Sequence, residues 1–400
     1  MKTLCFFTSY NLENRTDIEL ADEAYYMYQG VTFFESGLAC DWGPLYSLWY
    51  KFLNFFDSDR VSLYYLNMAL LSSLPTISIY LFLRVFKSGI PLALFFATFF
   101  HFSIVNYPQG GKVSIFALIY LIAGVLLIYK YAKSNLSLSL SLITVLMFLC
   151  AYIRPENTLT CGLALLINVA VIIYWRKPPV YLISSIAFVA LLVFVVGNPN
   201  STRGELAFKQ QFGYHYIMRH PEDMRFEGLD VWIDFDQVIF LIFGQDVKSF
   251  YEAFRLKGMF IIKEHFIPNV YTFSGMLYDL LIDYLAIFKS NRINLLTYSS
   301  IGVSLVILYI FGFVKFHLSG FSDFIKKYKI ILYPTLLFSL VVTVASFYSL
   351  ANNIRYLPVY YLLFPLTILL LLSGFKFQAD KEKLLRNIYG GLLLSLLIIK

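Results

Sequence analysis

Apolar residues are gathered along this chain in long runs rather than spread in alternation. Ten runs, at 61–83, 91–106, 112–129, 136–153, 158–175, 181–196, 295–313, 330–349, 356–373 and 387–399, are separated by polar connections. Most approach the roughly 20 residues a helix needs to cross a hydrocarbon core of about 30 Å. The pattern predicts an all-α fold, a polytopic bundle of transmembrane helices. The tenth run is short, which predicts a truncated C-terminus.

Two polar segments interrupt this pattern. The first, up to residue 60, predicts two helices lying flat near the membrane surface. The stretch 18–35 opens with acidic residues, which suit a helix N-terminus. The stretch 45–56 sets Leu45, Leu48, Trp49, Phe52, Phe55 and Phe56 at i, i+3, i+4 spacing, as an interfacial amphipathic helix requires. The second segment is too long for a passive connection. It predicts one helix over 248–264 and another over 271–288, which carries Asp279 and Asp283 and so lies on the surface or dips partway. The chain therefore divides into an outer acidic region 1–60, a six-helix membrane part 61–197, a long outer loop region 198–294 and C-terminal membrane helices 295–400.

Composition agrees with the pattern. The chain is 59% hydrophobic and 14% charged, whereas soluble domains carry about 25% charged residues. The net charge of +7 sits in small basic clusters beside apolar runs, which excludes a nucleic-acid surface and points to membrane lipids. The clusters fall in alternate connections: Arg84 and Lys87; Lys130 and Lys133; Arg176 and Lys177; Lys315, Lys326, Lys327 and Lys329; Lys376, Lys381, Lys383 and Arg386. Such connections stay in the cytoplasm, and of the 25 acidic residues only Asp323, Asp380 and Glu382 fall on that side. Both long polar segments are thus expected on the extracytoplasmic face of a cell membrane, and the short connections favour a prokaryotic plasma membrane. This topology calls for a further span before residue 20. The four cysteines, Cys5, Cys40, Cys150 and Cys161, form no CxxC pair and predict neither a metal site nor a disulfide framework.

Acids that face outward on a membrane bundle are candidates for chemistry. In a helix over 18–35, adjacent residues point about 100° apart, so Asp22 and Glu23 cannot both face one reacting centre. One works and the other supports it. A carboxylate can act as general base toward an acceptor hydroxyl. A departing phosphate then needs positive charge, and Lys112, Arg154 and Arg355 fall at outer ends of predicted spans, where guanidinium groups can hold a lipid-linked phosphate. Each has a plainer reading. Asp22 and Glu23 can cap a helix; Asp41 can start the turn Trp42-Gly43-Pro44; Arg154 can pair with Glu156; Arg355 can snorkel; Lys112 reads first as an interfacial anchor. The five histidines show no HExxH spacing and no GxxxxGK[ST] phosphate loop occurs, which favours a lipid-carried phosphate over a bound nucleotide.

The order Asp22-Glu23-Ala24-Tyr25-Tyr26, then Gly43-Pro44-Leu45-Tyr46 some twenty residues on, resembles the first extracytoplasmic loop of the GT-C superfamily of integral membrane glycosyltransferases, which includes protein O-mannosyltransferases and lipid A aminoarabinose transferases. Ile153-Arg154-Pro155-Glu156-Asn157, the stretch from Phe243-Gly244-Gln245 to Asn269, and Arg355-Tyr356-Leu357-Pro358 fit the same picture. The resemblance implies a GT-C-like bundle and an inverting sugar transfer from a polyprenyl- or dolichyl-phosphate donor to a lipid, glycan or protein acceptor of the cell envelope. It implies Asp22 as general base with Glu23 beside it, and Tyr25, Tyr26, Asp41, Lys112, Arg154, Glu156, Arg355 and Tyr356 around the substrates. The loop His101 to Lys112 has no acid where metal-using relatives place a second carboxylate, so no cofactor is firmly implied and a divalent cation is left open. A flippase or transporter, or a ligase or polymerase of lipid-linked saccharides, is the alternative.

Overall fold

In a computed structural model the described residues are 12, 22–37, 39, 42–106, 112–176, 178–199, 203–285, 314–348 and 356–377. The predicted runs at 295–313 and 387–399 lie outside them, as do Asp41 and Arg355. The described residues are almost wholly helical. In the first polar segment α1 spans Asp22–Val31, a short α2 spans Phe33–Ser36 and α3 spans Pro44–Leu53. A series of apolar helices follows as α4 (Arg60–Val85), α5 (Ile90–His101), α6 (Val113–Ala132), α7 (Leu136–Ala151), α8 (Asn157–Trp175) and α9 (Val180–Val196). The long loop region holds α10 (Arg203–Arg219), α11 (Phe235–Phe243), α12 (Phe250–Ile261), a π-helical turn (Ile262–Phe266) and α13 (Ile267–Leu285). The last part has β1 (Val314–Phe316), α14 (Leu318–Tyr348), α15 (Tyr360–Ser373) and β2 (Phe375–Phe377).

Helix starts follow local chemistry. Asp59 accepts from the Ser62 amide at 2.8 Å to begin α4, and Asn135 from the Leu138 amide at 3.1 Å to begin α7. These side chains satisfy donors that a helix leaves open at its first turn. Four helices, α4, α6, α8 and most of α14, are long and apolar enough to cross a membrane, and α5, α7, α9 and α15 are shorter apolar helices. Their outward faces carry large apolar side chains such as Leu166, Ile173, Ile183 and Phe194, while inward positions hold Ser139, Ser141, Thr144, Asn168 and Thr335. Asn168 donates to the Ser141 hydroxyl at 3.2 Å. Apolar outside and polar inside is the arrangement a lipid solvent selects.

Three of the basic connections come together at one end of the bundle. Phe86, beside Lys87, stacks on Phe324 at 5.6 Å and meets Tyr328 at 4.8 Å; Tyr129, beside Lys130, meets Tyr328 at 6.2 Å. At the same end β1 and β2 form an antiparallel ladder that sets Lys315 opposite Lys376.

The loop region folds around its own aromatic core of Phe208, Phe212, Phe226, Val238, Ile239 and Phe243. The expected helix over 248–264 is present as α12 with the π-helical turn. The expected surface helix is α13, whose Phe273 and Leu280 join the bundle core while Asp279 stays exposed. It packs along α14, with Phe273 meeting Phe347 at 5.8 Å.

Glycine lets the first loop close. A Cβ on Gly30 of α1 would stand 2.3 Å from the Ser47 carbonyl oxygen of α3. Gly30→Ala forces these helices apart, and the expected loss of about 1–3 kcal/mol exceeds the propensity gain of about 1 kcal/mol. A lower melting temperature of the detergent-solubilised protein checks this; an unchanged or higher one shows that α1 does not rest on α3.

Candidate functional site

The acidic pair lies at the end of the bundle away from the basic connections, and the structure separates its two members. Asp22, the first residue of α1, is half-buried, whereas Glu23 is fully buried. Glu23 Oε1 accepts from the Tyr46 and Tyr50 hydroxyls, the latter at 2.5 Å, and from Asn67 Nδ2 at 2.9 Å. Its Oε2 accepts from the Lys112 backbone amide at 3.2 Å. Asn67 also donates to both tyrosine oxygens, at 2.9 and 2.7 Å, and its own Oδ1 accepts from Trp49 Nε1 at 2.8 Å. Burial first, and the Glu23 charge second, push both phenols well above their ordinary range, so they stay protonated donors. Fully buried and accepting from three side chains and one backbone amide, this carboxylate acts as a clamp. It ties α1 to α3, α4 and the start of α6.

Tyr46 and Tyr50 are i, i+4 on α3 and face inward with Leu53, while Phe52 of the same helix and Phe55 and Phe56 in the turn after it are exposed. The predicted apolar stripe is thus the outer face, and the hydroxyl-bearing side makes the contacts that fix the loop. Tyr46 stands in the Gly43-Pro44-Leu45-Tyr46 motif, but nothing in the motif singles out its partners Tyr50 and Asn67. An amide in the fourth to eighth residues of a span, opposite two tyrosines spaced as a helix face, is the signal that points to them.

Lys112 requires a correction. It is 2% exposed rather than an interfacial anchor, and its ammonium donates to the Asn106 carbonyl at 3.3 Å. Asn106 in turn donates to the Ser72 carbonyl at 2.8 Å and to the His101 carbonyl at 3.1 Å, and His101 Nδ1 lies 2.8 Å from the Thr76 hydroxyl. Lys112 thus anchors a buried polar thread along α4 and does not line the nearby cavity.

That cavity lies between α6, the α7–α8 connection, α14 and the start of α15, and it brings together Arg154, Glu156, Ser114 and Tyr356. Arg154 Nε and Nη2 both reach Glu156 Oε1 at 2.6 Å, and its guanidinium stands over the Tyr356 ring at 5.4 Å. Burial disfavours this cation, but Glu156, then Tyr356 and Tyr26, outweigh it and hold the group charged. The plain pairing of Arg154 with Glu156 is therefore present, inside a cavity of about 20 Å³, room for roughly one water.

The first loop reaches the same place. Leu45 N donates to the Tyr152 carbonyl at 3.2 Å, and Gly43, at φ +60°, comes so near that a Cβ would stand 2.7 Å from the Ile153 carbonyl oxygen. Tyr26 is buried against Tyr46 at 5.1 Å and close enough to Arg154 to feel its charge. It is a core residue, not a substrate platform. Tyr25 is exposed, meets Trp42 at 4.6 Å with the rings tilted and accepts from Gln29 at 2.7 Å. Asp22 lies one turn before Tyr26 on the same helix, so the two share a face. Asp41 and Arg355 lie outside the described residues.

No protein-family model, curated protein or solved structure matches this chain. Its chemistry is therefore read from its own geometry. Among the described residues no three His, Cys, Asp or Glu side chains come together as a metal ion needs. In the loop region His215 and His265 face each other at 5.3 Å beside the bundle. Burial, then the His265 and Arg219 charges, push His215 down to about 3, so it is neutral packing at ordinary pH.

Proposed function

We propose that the chain is a GT-C-like membrane glycosyltransferase, moving a sugar from a polyprenyl- or dolichyl-phosphate donor to a hydroxyl acceptor on the extracytoplasmic face, with inversion. The observation that supports this best is the convergence of a clamped acidic loop with Arg154, Glu156 and Tyr356 at the end of the bundle opposite the basic connections. In this reading Asp22 takes the proton of the acceptor hydroxyl as its oxygen attacks the anomeric carbon. The bond from that carbon to the phosphate oxygen breaks, and its electron pair leaves with the phosphate. Arg154 meets the charge that develops there, as planar guanidinium groups do. Glu156 now occupies that guanidinium, so donor entry exchanges a carboxylate for a phosphate and opens the small cavity.

Membranes carrying the protein, fed a single labelled polyprenyl-phosphate monosaccharide, are expected to consume it and pass the label to an endogenous acceptor. A flippase would leave the donor intact, and a ligase or polymerase of preassembled saccharides would ignore it; either result ends the proposal. In the same assay Arg154→Ala is expected to raise the donor KM roughly 10- to 100-fold, the worth of a charge-assisted hydrogen bond of about 1.5–3 kcal/mol. Glu156→Gln is expected to lower it, because the neutral amide releases the guanidinium.

A further inference from the structure

The loop region carries a second surface that the transfer chemistry does not use. On α10, Tyr214, Ile217 and Met218 form one wall of an open groove of about 420 Å³, and the loop through Asp230 and Trp232 forms the other. Its aromatic pair is held in place. Trp232 is 44% exposed with its ring 5.7 Å from that of Tyr214. The Trp232 amide donates to Asp230 Oδ1 at 2.8 Å, and its carbonyl accepts from Gln210 Nε2 at 3.0 Å. The backbone on either side of the indole is thereby fixed while the ring and the Asp230 carboxylate stay exposed.

Charge narrows the occupant. None of the groove-lining residues is cationic. The neighbouring Lys209 and Arg225 are engaged by Asp236 and Asp223. Glu227 and Asp230 add negative charge around the loop, both exposed. Phosphate-bearing ligands and anionic lipid surfaces are repelled there. An electron-rich indole face attracts partial positive charge, which the C–H groups on one side of a pyranose ring supply, and the hydroxyls at the edge of such a ring are donors that a carboxylate accepts. We infer that this groove is a saccharide-binding site, taking a neutral pyranose against Trp232 and Tyr214 with Asp230 as its hydrogen-bond acceptor. It stands apart from the reacting centre, and its failure would leave the transferase reading untouched.

The test uses the full chain in nanodiscs, titrated with maltotriose, mannotriose and chitotriose and followed by calorimetry and tryptophan fluorescence. Saturable binding of at least one trisaccharide is expected, weakened tenfold or more in Trp232→Ala. Asp230→Asn is expected to weaken it as well; the asparagine Oδ1 still accepts from the Trp232 amide, so the loop keeps its shape and the loss reports the carboxylate. Absence of binding to all three sugars, or binding that Trp232→Ala leaves unchanged, overturns the proposal. Quenching of the Trp232 signal, taken as the difference from Trp232→Phe, in nanodiscs of brominated lipid overturns it too, because the groove would then face the membrane.

Discussion

Asp22→Asn is expected to lower sugar transfer roughly 10²- to 10⁴-fold, the contribution of one well-placed general base, with little change in donor KM or in the amount of folded protein. The substitution keeps the shape of the side chain and removes its ability to take a proton. Asp22 begins α1 half-buried, and the interaction of its charge with the helix dipole, which the asparagine gives up, is worth about 0.3–1 kcal/mol. Initial rates with a labelled polyprenyl-phosphate monosaccharide, normalised to protein in the same membranes, provide the measurement. A wild-type rate in this variant removes Asp22 from the mechanism.

The neighbouring acid is expected to behave in the opposite way. Glu23→Ala leaves two tyrosine hydroxyls, the Asn67 amide and the Lys112 backbone amide without their shared acceptor in a site closed to water. Breaking a buried charged network by removing one partner costs about 3–5 kcal/mol, a large part of the stability of a typical domain. Folded yield and melting temperature by fluorescence-detected size exclusion are expected to fall sharply. Tyr50→Phe is expected to cost less, about 1–3 kcal/mol. Because the groups act as a unit, Glu23→Gln and Tyr50→Phe together should cost less than their sum, with a coupling of about 0.5–3 kcal/mol. A Glu23→Ala protein with wild-type stability would refute the clamp. The two adjacent carboxylates thus separate cleanly, one read out in rate and the other in stability.

What was legible in advance follows from the medium. In a lipid solvent, apolar run length marks a span, which is why α4, α6 and α8 begin and end within a few residues of the expected runs. Lysine and arginine in the connections marked one end of the bundle, and Phe86, Tyr129 and Tyr328 bring those connections together. The helical angle between adjacent residues separated Asp22 from Glu23 before any coordinates did. The assignment of Lys112 as an interfacial anchor failed because its place at the edge of an apolar run fits a snorkelling side chain and an inward one equally well.

The sequence by itself determined the helical class, the apolar helices long enough to cross a membrane and the meeting of basic connections at one end. Only the tertiary structure decided which acid is closed off by Tyr46, Tyr50 and Asn67, that Lys112 turns inward to Asn106, and that Arg154, Glu156 and Tyr356 share one cavity. The physical reason is that spans apolar on most sides carry little periodic signal to distinguish the lipid face from the protein face. Isolated polar residues meet partners far away in the chain, such as Asn67 for Glu23 and Ser141 for Asn168, and that pairing exists only once the helices have packed.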